Sequence, residues 1–383
     1  MDEDPKKTVL RKKRLIRIAG SLLSLAVLTY IAIALISGSQ SGHFRFFGLF
    51  SDSENAQMAS EFFFDVGRNR VFADLGGSLA AAGTLGLQVL DAGGYETLRD
   101  SFRMATPMVC SQGDRAVSYD IGGTSVRVFN NSEVLVSIET DGLIIAASIN
   151  KNGWFAVCTQ EGGASKGTVT VYNDAGNPTY RVNLASGYLL TAVLTSDNKS
   201  LAVLNLTPGG SRISFYELNS EDVDHIFELP GKLILDMSYT TGGTMLLVTE
   251  NSLIGLGKKN EDTEIYDFAG RRLGGYAIYV DSIVLYLLDY NVGYSGGIIS
   301  IDEKGSVLGE IETDREIIDL TYGDGQIALL RGDGIAFFET SLEELPLADD
   351  SVSSVGATKI ISFGKGRVLA AGDHSAVVFR VES

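Results

Sequence analysis

Gly167–Leu184, GTVTVYNDAGNPTYRVNL, is the stretch that decides the fold. Val169 and Val171 alternate with Thr170 and Tyr172, the period-two pattern of a strand built from β-branched and aromatic residues. Asp174-Ala175-Gly176-Asn177-Pro178 supplies a turn: Gly adopts positive φ without steric cost, Asn tolerates it, and Pro closes off further pairing. Val182 and Leu184 carry the return strand. Weaker copies of this hairpin recur through most of the 383 residues.

Two independent phases define the repeat. Strands of the VTVYN kind are centred near Val89, Val128, Val171, Phe215, Leu256, Ser300, Phe337 and Val378, spaced about 41 residues apart. Upstream of each lies a tight polar turn: Gly76-Gly77, Gly113-Asp114, Asn152-Gly153, Asn198-Lys199, Gly242-Gly243, Asp281-Ser282, Asp324-Gly325 and Lys365-Gly366. An apolar strand follows each turn, such as WFAVCTQ or SLAVLNL. Both phases count eight. A period near 40 with several short strands per unit predicts an all-β, eight-bladed β-propeller of four-stranded antiparallel blades. With strands lettered a to d, blade 3 reads LIIAASIN, WFAVCTQ, GTVTVYN and PTYRVNL. Blade 5 is the least regular, and blade 7 ends in a short, poor d strand near Leu345–Ala348.

The last unit has a, b and c strands and no d strand, whereas Glu61–Val66, EFFFDV, precedes the first complete blade unassigned. Pairing Glu61–Val66 with Ala376–Val381 closes the ring and removes an open sheet edge. The topology sorts the loops: a–b and c–d turns lie on one face, b–c and d–a loops on the other. The c–d turns are acidic, which turn formation and solubility explain; no DxDxDG calcium loop is present.

The 44 Gly and 6 Pro fit a protein of many tight turns, and 45% hydrophobic residues suffice for a core. Net charge is −17. The first 17 residues carry seven bases against Asp2, Glu3 and Asp4, a net of +4, so the remainder carries −21. A body that acidic is a poor binder of nucleic acid. Cys110 and Cys158, each inside an apolar run, read as separate buried thiols, pairing being the alternative. With three scattered His and no CxxC, no metal site or cofactor is expected.

Residues 1–17 form a basic tail. Ile18–Ile36, IAGSLLSLAVLTYIAIALI, carries no charge and as a helix spans about 28 Å, enough to cross the hydrocarbon core. The expectation is a transmembrane helix retained as a signal anchor, with the N-terminus cytoplasmic and everything after Ser37 outside. Residues 37–60 read as a linker, with Phe44, Phe46, Phe47 and Phe50 near the membrane. Residues 61–383 are the extracytoplasmic propeller. If Glu61–Val66 is the last blade's d strand, the linker enters from the acidic face, and the b–c loops point away from the membrane.

No catalytic motif is read: the Gly-rich stretches around Gly162-Gly163 and Gly296-Gly297 lack the following helix that a GxSxG elbow or a Walker loop needs, and there is no HExxH. Of the longer b–c loops, Gln160–Gly167, Thr207–Ser211 and Asp289–Gly297, the last, DYNVGYSGG, places Tyr290, Asn291 and Tyr294 on a variable loop of a rigid scaffold, where binding concentrates. These three are the expected ligand-binding residues. Arg331-Gly332-Asp333 spells an adhesion tripeptide, but turn chemistry accounts for it, with Asp333-Gly334 as the hairpin dipeptide. Trp154, the sole Trp, is expected to pack between blades.

The basic tail, the Ile18–Ile36 anchor and repeats of the VTVYNDAG kind together resemble an uncharacterised family of single-pass, membrane-anchored β-propellers of Gram-positive bacteria. The resemblance implies architecture and location, not an activity. Units such as IISIDEKGSVLGEI, Ile298–Ile311, are more distantly similar to quinoprotein-type and outer-membrane-assembly propellers. The recurrent Trp of those families is absent, which argues against a quinone cofactor. The Gly-His and Trp-Asp pairs of WD-type propellers do not recur. The reading is a non-catalytic binding or scaffold module in the cell membrane, partnered by an envelope protein or a glycan. The alternative is an enzyme or small-ligand receptor using the channel or the b–c loops. Carboxylates converging in the channel with tyrosines around them would favour the alternative.

Overall fold

A strand with a neighbouring blade on each side must be apolar on both faces, and the b strands meet that demand. Phe155–Gln160, Met245–Thr249 and Ser282–Leu288 are buried almost without interruption. The outermost strands alternate instead, as in Val223–Pro230, where Phe227 and Leu229 are buried and Asp224 and Glu228 face solvent. The computed structural model describes residues 61–160, 166–257, 261–290, 292–347, 356–364 and 366–381. The basic tail, the Ile18–Ile36 run and the linker lie outside the described residues. Among the described residues no helix is long and apolar enough to cross a membrane.

Eight four-stranded antiparallel sheets result. Seven are contiguous in sequence: residues 71–100, 107–139, 143–184, 188–230, 234–267, 272–313 and 317–345. The eighth combines 359–380 with Glu61–Phe63 on its outer edge. Blade 7's d strand is only Glu344–Leu345. One apolar cluster fills each gap between neighbouring blades, eight in all. The gap between blades 8 and 1 is filled like the others, by Phe62, Phe64, Val66, Leu79, Phe363 and Val378 among others. Trp154 packs, partly buried, in the cluster between blades 3 and 4.

Side chains also tie several a strands to the next blade. Ser148 Oγ donates to Ala192 O at 2.6 Å, Asn150 Nδ2 to Thr195 O at 2.9 Å, and Tyr276 OH to Asp236 Oδ2 at 3.1 Å. The Ile360 N–H donates to Asp319 Oδ2 at 2.9 Å, and Lys359 Nζ to Asp319 Oδ1 at 3.2 Å.

The closure is shorter than the sequence suggests. Glu61, Phe62 and Phe63 pair with Val377, Ala376 and Ser375, and there pairing stops. Phe64 and Val66 turn inward, 5% and 2% exposed, because they are needed in the blade 8–blade 1 core. The Phe64 N–H donates to His374 O, and Val66 O accepts from Leu85 N–H. The other end of the same edge is held from blade 7, where Leu347 bridges Val381.

The Gly167–Leu184 hairpin is present as strands Gly167–Tyr172 and Pro178–Leu184, with two differences of detail. Asn173, not Asp174, organises the turn: its Oδ1 accepts from the Ala175 and Asn177 N–H groups at 3.1 and 2.9 Å. Gly176 then sits at φ 78°, with its N–H on Asn173 O. Pro178 does not end pairing but opens the outer strand, opposite Tyr172, where a missing N–H faces no partner. Asp91, Asn130 and Asp302 head their c–d turns in the same way. A first-position Asx oxygen that caps its own loop is therefore the physical reason these turns recur.

Candidate functional site

Loops on the two faces of the ring differ in chemistry. Among the described residues, the a–b and c–d turns carry Asp91, Asp114, Glu133, Asp174, Asp197, Glu221, Asp222, Glu261, Asp281, Glu303, Asp324 and Glu343, against Lys151, Lys199 and Lys304. The b–c and d–a loops carry acids and bases in near balance. Among them Arg70 pairs with Asp373 at 2.8 Å and Arg315 with Asp333 at 2.6 Å.

Exposed apolar side chains are more numerous on this second, balanced face, although Tyr95 and Val280 stand exposed in turns of the acidic one. Leu85, Ile121, Tyr290, Val292 and Tyr294 lie in b–c loops, and Leu233 in a d–a loop. Leu143, Tyr188, Leu235 and Ile318 stand at the first turns of a strands, around the channel mouth. Tyr188 is 74% and Val292 88% exposed. A β-bulge explains the second group. In blades 3 to 7 the a–b register slips by one residue, between Ile144 and Ala146, Leu189 and Thr191, Ile234 and Asp236, Leu273 and Gly275, and Ile317 and Asp319. One extra residue reverses side-chain parity, so Leu235 and Ile318, which strict alternation would bury, emerge at the rim.

Tyr290 and Tyr294 stand on the b–c loop of blade 6, on this face; Asn291 lies outside the described residues. The loop is tied down at its base. The Asp289 N–H donates to Ser295 O at 2.9 Å, Ser295 Oγ to Asp289 Oδ2 at 3.1 Å, and Tyr286 OH to Tyr294 O at 3.0 Å. A hydrogen bond to Glu316 of the next d–a loop holds the Tyr294 phenol above its ordinary pKa. In the Arg331-Gly332-Asp333 stretch the two-residue loop is Gly332-Asp333, with Arg331 paired to Gly334, and Asp333 is held by Arg315.

The channel strands carry Asp74, Asp236 and Asp319. Asp236 accepts from Tyr276 OH and the Met237 N–H, and burial pushes its carboxyl above the usual carboxylate range. Asp319 is bonded by blade 8, and Asp74 accepts from the Gly77 N–H. Each is thus engaged in structural bonds. Among the described residues no group of three His, Cys, Asp or Glu side chains could hold a metal ion. Cys158 is buried and Cys110 half-buried; both are free thiols, and desolvation pushes each up to about 12.

A family model matches residues 54–344. The chain belongs to DUF5711, a family of unknown function. No curated protein matches the sequence. Among solved structures, this DUF5711 chain is similar to BamB from Moraxella catarrhalis, a quinoprotein-like propeller, at 14% identity and a TM-score of 0.52. The likeness covers 84% of this chain and 99% of BamB. It is similar to the C-terminal WD40 domain of Sif2 at 12% identity and a TM-score of 0.55, over 85% of this chain and 96% of that one. The β-propeller domain of Myceliophteria thermophila Cps50 (Swd1) gives 12% and 0.50, over 73% and 99%. At such identities the likeness is one of fold. The DUF5711 chain shares the β-propeller fold of that WD40 domain, and the Gly-His and Trp-Asp pairs do not recur in it.

Proposed function

We propose that this chain is a membrane-anchored, extracytoplasmic binding or scaffold module whose b–c/d–a face receives a protein partner of the cell envelope. The observation that carries the proposal is the concentration of exposed apolar side chains on one face of a rigid ring, where Leu85, Tyr188, Leu235, Tyr290, Val292 and Ile318 stand, against Tyr95 and Val280 in the turns of the other. A cluster of exposed apolar and aromatic groups with a balanced polar surround is the composition of an interaction surface. Anchoring is supported by the sequence alone: a basic tail followed by an uncharged run long enough to cross a bilayer. The direction of Glu61–Phe63 supports the orientation. The strand is antiparallel to Ser375–Arg380, so the chain reaches it from the side of the acidic turns. A tether on that side leaves the apolar face open to a partner.

The test joins membrane fractionation with affinity capture. Full-length protein partitions with membranes, and a cysteine placed at Glu221 is labelled by an impermeant reagent in whole cells. A triple variant, Tyr188→Ser, Leu235→Ser and Ile318→Ser, folds normally and loses the partner that wild type retains. Capture unchanged in that variant contradicts the assignment of the face, and cytoplasmic protection of residue 221 contradicts the orientation.

A further inference from the structure

Blade 7 leaves its outer edge unfinished. Outer strands run five to eight residues in blades 1 to 6 and three in blade 8, but blade 7 has Glu344–Leu345 alone. Those two residues pair with Phe338 and Phe337. The chain then leaves through Pro346, and Leu347 bridges Val381 of blade 8 instead. Residues 334–336 of strand Gly334–Glu339 keep their inner partners, Arg331, Leu330 and Leu329. Among the described residues they have no outer partner.

The direction of the free backbone follows from the register. The Glu339 N–H donates outward to Glu343 O at 2.9 Å. In an antiparallel strand every second residue turns its backbone groups to the same neighbour, so Phe337 and Ile335 point outward too. Phe337 meets Leu345. The Ile335 N–H and C=O meet no strand, although the residue is only 8% exposed. Beside them lies a cavity of about 520 Å³ lined by residues 335–337 and 344–347, all apolar except Glu344. Buried backbone groups are rarely left without partners, and a free strand edge is a template for pairing.

We propose that this edge receives one extended strand from another protein, antiparallel to Gly334–Glu339, which completes blade 7. Blade 8 is the precedent within the molecule: a three-residue strand, Glu61–Phe63, is supplied there by a remote part of the chain. The backbone of the incoming strand bonds the Ile335 N–H and C=O. Its residue opposite Ile335 is apolar, because directly opposed side chains share a face. On that face Ile335 and Phe337 belong to the cluster between blades 7 and 8, with Leu345 and Leu347 packed against it. Its N-terminal end is basic. Antiparallel pairing directs that end toward Glu339, Glu343 and Glu344, which are exposed and have no basic partner among the described residues. The acidic body, in a chain of net charge −17, opposes a second copy as the occupant. The site lies on the circumference of the ring, apart from the loops of the apolar face.

The probe is the synthetic peptide KKVTVTV, titrated at low salt into the full chain in detergent and followed by amide hydrogen exchange resolved to single residues. Binding is saturable and slows exchange of the Ile335 amide about tenfold. N-methylation of one alternate set of peptide amides abolishes binding, and methylation of the other set, which faces away, leaves it intact. Glu343→Lys combined with Glu344→Lys weakens binding about fivefold, the loss expected for two exposed ion pairs, and keeps the wild-type melting temperature. The face variant Tyr188→Ser, Leu235→Ser, Ile318→Ser binds the peptide as wild type does, so loss of the partner face and loss of this site are read separately. The proposal is overturned if the peptide does not bind, if KKGSGSG binds equally, or if both methylated sets bind alike. It is also overturned if the Ile335 amide is already protected in the free chain, or if its protection rises with protein concentration alone, which would make a second copy the occupant.

Discussion

The two faces of this propeller are built from the same hairpins and yet differ in what they were free to vary. On the acidic face the chain reverses within two to five residues, and four of the c–d turns are headed by an Asx side chain that caps its own loop. Asp91, Asn130, Asn173 and Asp302 hold their loops in one manner. On the opposite face the b–c connections run from two residues, at Gly332-Asp333, to seven, at 289–295, and the a strands bulge there in five consecutive blades. Constraint on one face makes the repeat visible. Freedom on the other lets the loops vary in length and composition.

The largest expected effect removes the distinction altogether by opening the ring. Phe62 is fully buried and packs edge-on against Phe363 at 5.5 Å. Phe62→Ala leaves a cavity in the blade 8–blade 1 core and costs about 3–5 kcal/mol, read as a shift of the denaturant midpoint. The same truncation of the exposed Phe63 costs under about 0.5 kcal/mol. Equal losses at the two positions would mean that the three-residue strand, rather than its one inward side chain, secures the closure.

A second comparison acts on the surfaces. Val292→Ser and Tyr290→Ser weaken partner capture and leave the melting temperature within a few degrees, because both side chains are exposed. Glu221→Gln and Asp174→Asn leave capture intact. Weaker capture from the acidic variants would reverse the roles of the faces.

A third separates turn chemistry from charge. Asn173→Ala removes an acceptor that serves two backbone N–H groups and destabilises by about 1 kcal/mol. Asp174→Ala, one residue on and exposed, changes stability by less than about 0.5 kcal/mol in urea titrations.

The smallest effect concerns the channel. Burial raises the Asp236 carboxyl in the folded state, so the fold is favoured by protonation there. Its contribution is full below the unfolded pKa and is lost as pH rises through the raised folded value. Asp236→Asn keeps an acceptor for Tyr276 and is expected to be no less stable than wild type at pH 7, with its relative advantage shrinking as the pH falls toward 4. A variant markedly less stable at pH 7 would show that the ionised form of Asp236 is needed.

Blade count, strand order and the buried b strands were legible in the sequence because a strand covered on both sides has no choice but a continuous apolar run. The turns were legible as Gly and Asx at fixed offsets, although the acid that catches the eye at Asp174 is not the residue that builds the turn. The apolar rim was not legible. Leu235 and Ile318 sit in runs whose alternation reads as buried, and only the one-residue bulge, invisible in composition, turns them out. That Tyr290 and Tyr294 stand exposed on a b–c loop was legible because loop length and aromatics mark the segment without any register. The short closure escaped notice for the opposite reason: EFFFDV has uniform strand character, and only the core's need for Phe64 and Val66 ends the pairing.

Site-specific photo-cross-linking in intact cells tests the central claim directly. A photoreactive residue is placed singly at Tyr188 and Tyr290 on one face and at Asp174 and Glu221 on the other. The account predicts one and the same adduct from Tyr188 and Tyr290 and none from Asp174 or Glu221. Adducts from the acidic positions alone, or equal adducts from all four, would contradict it.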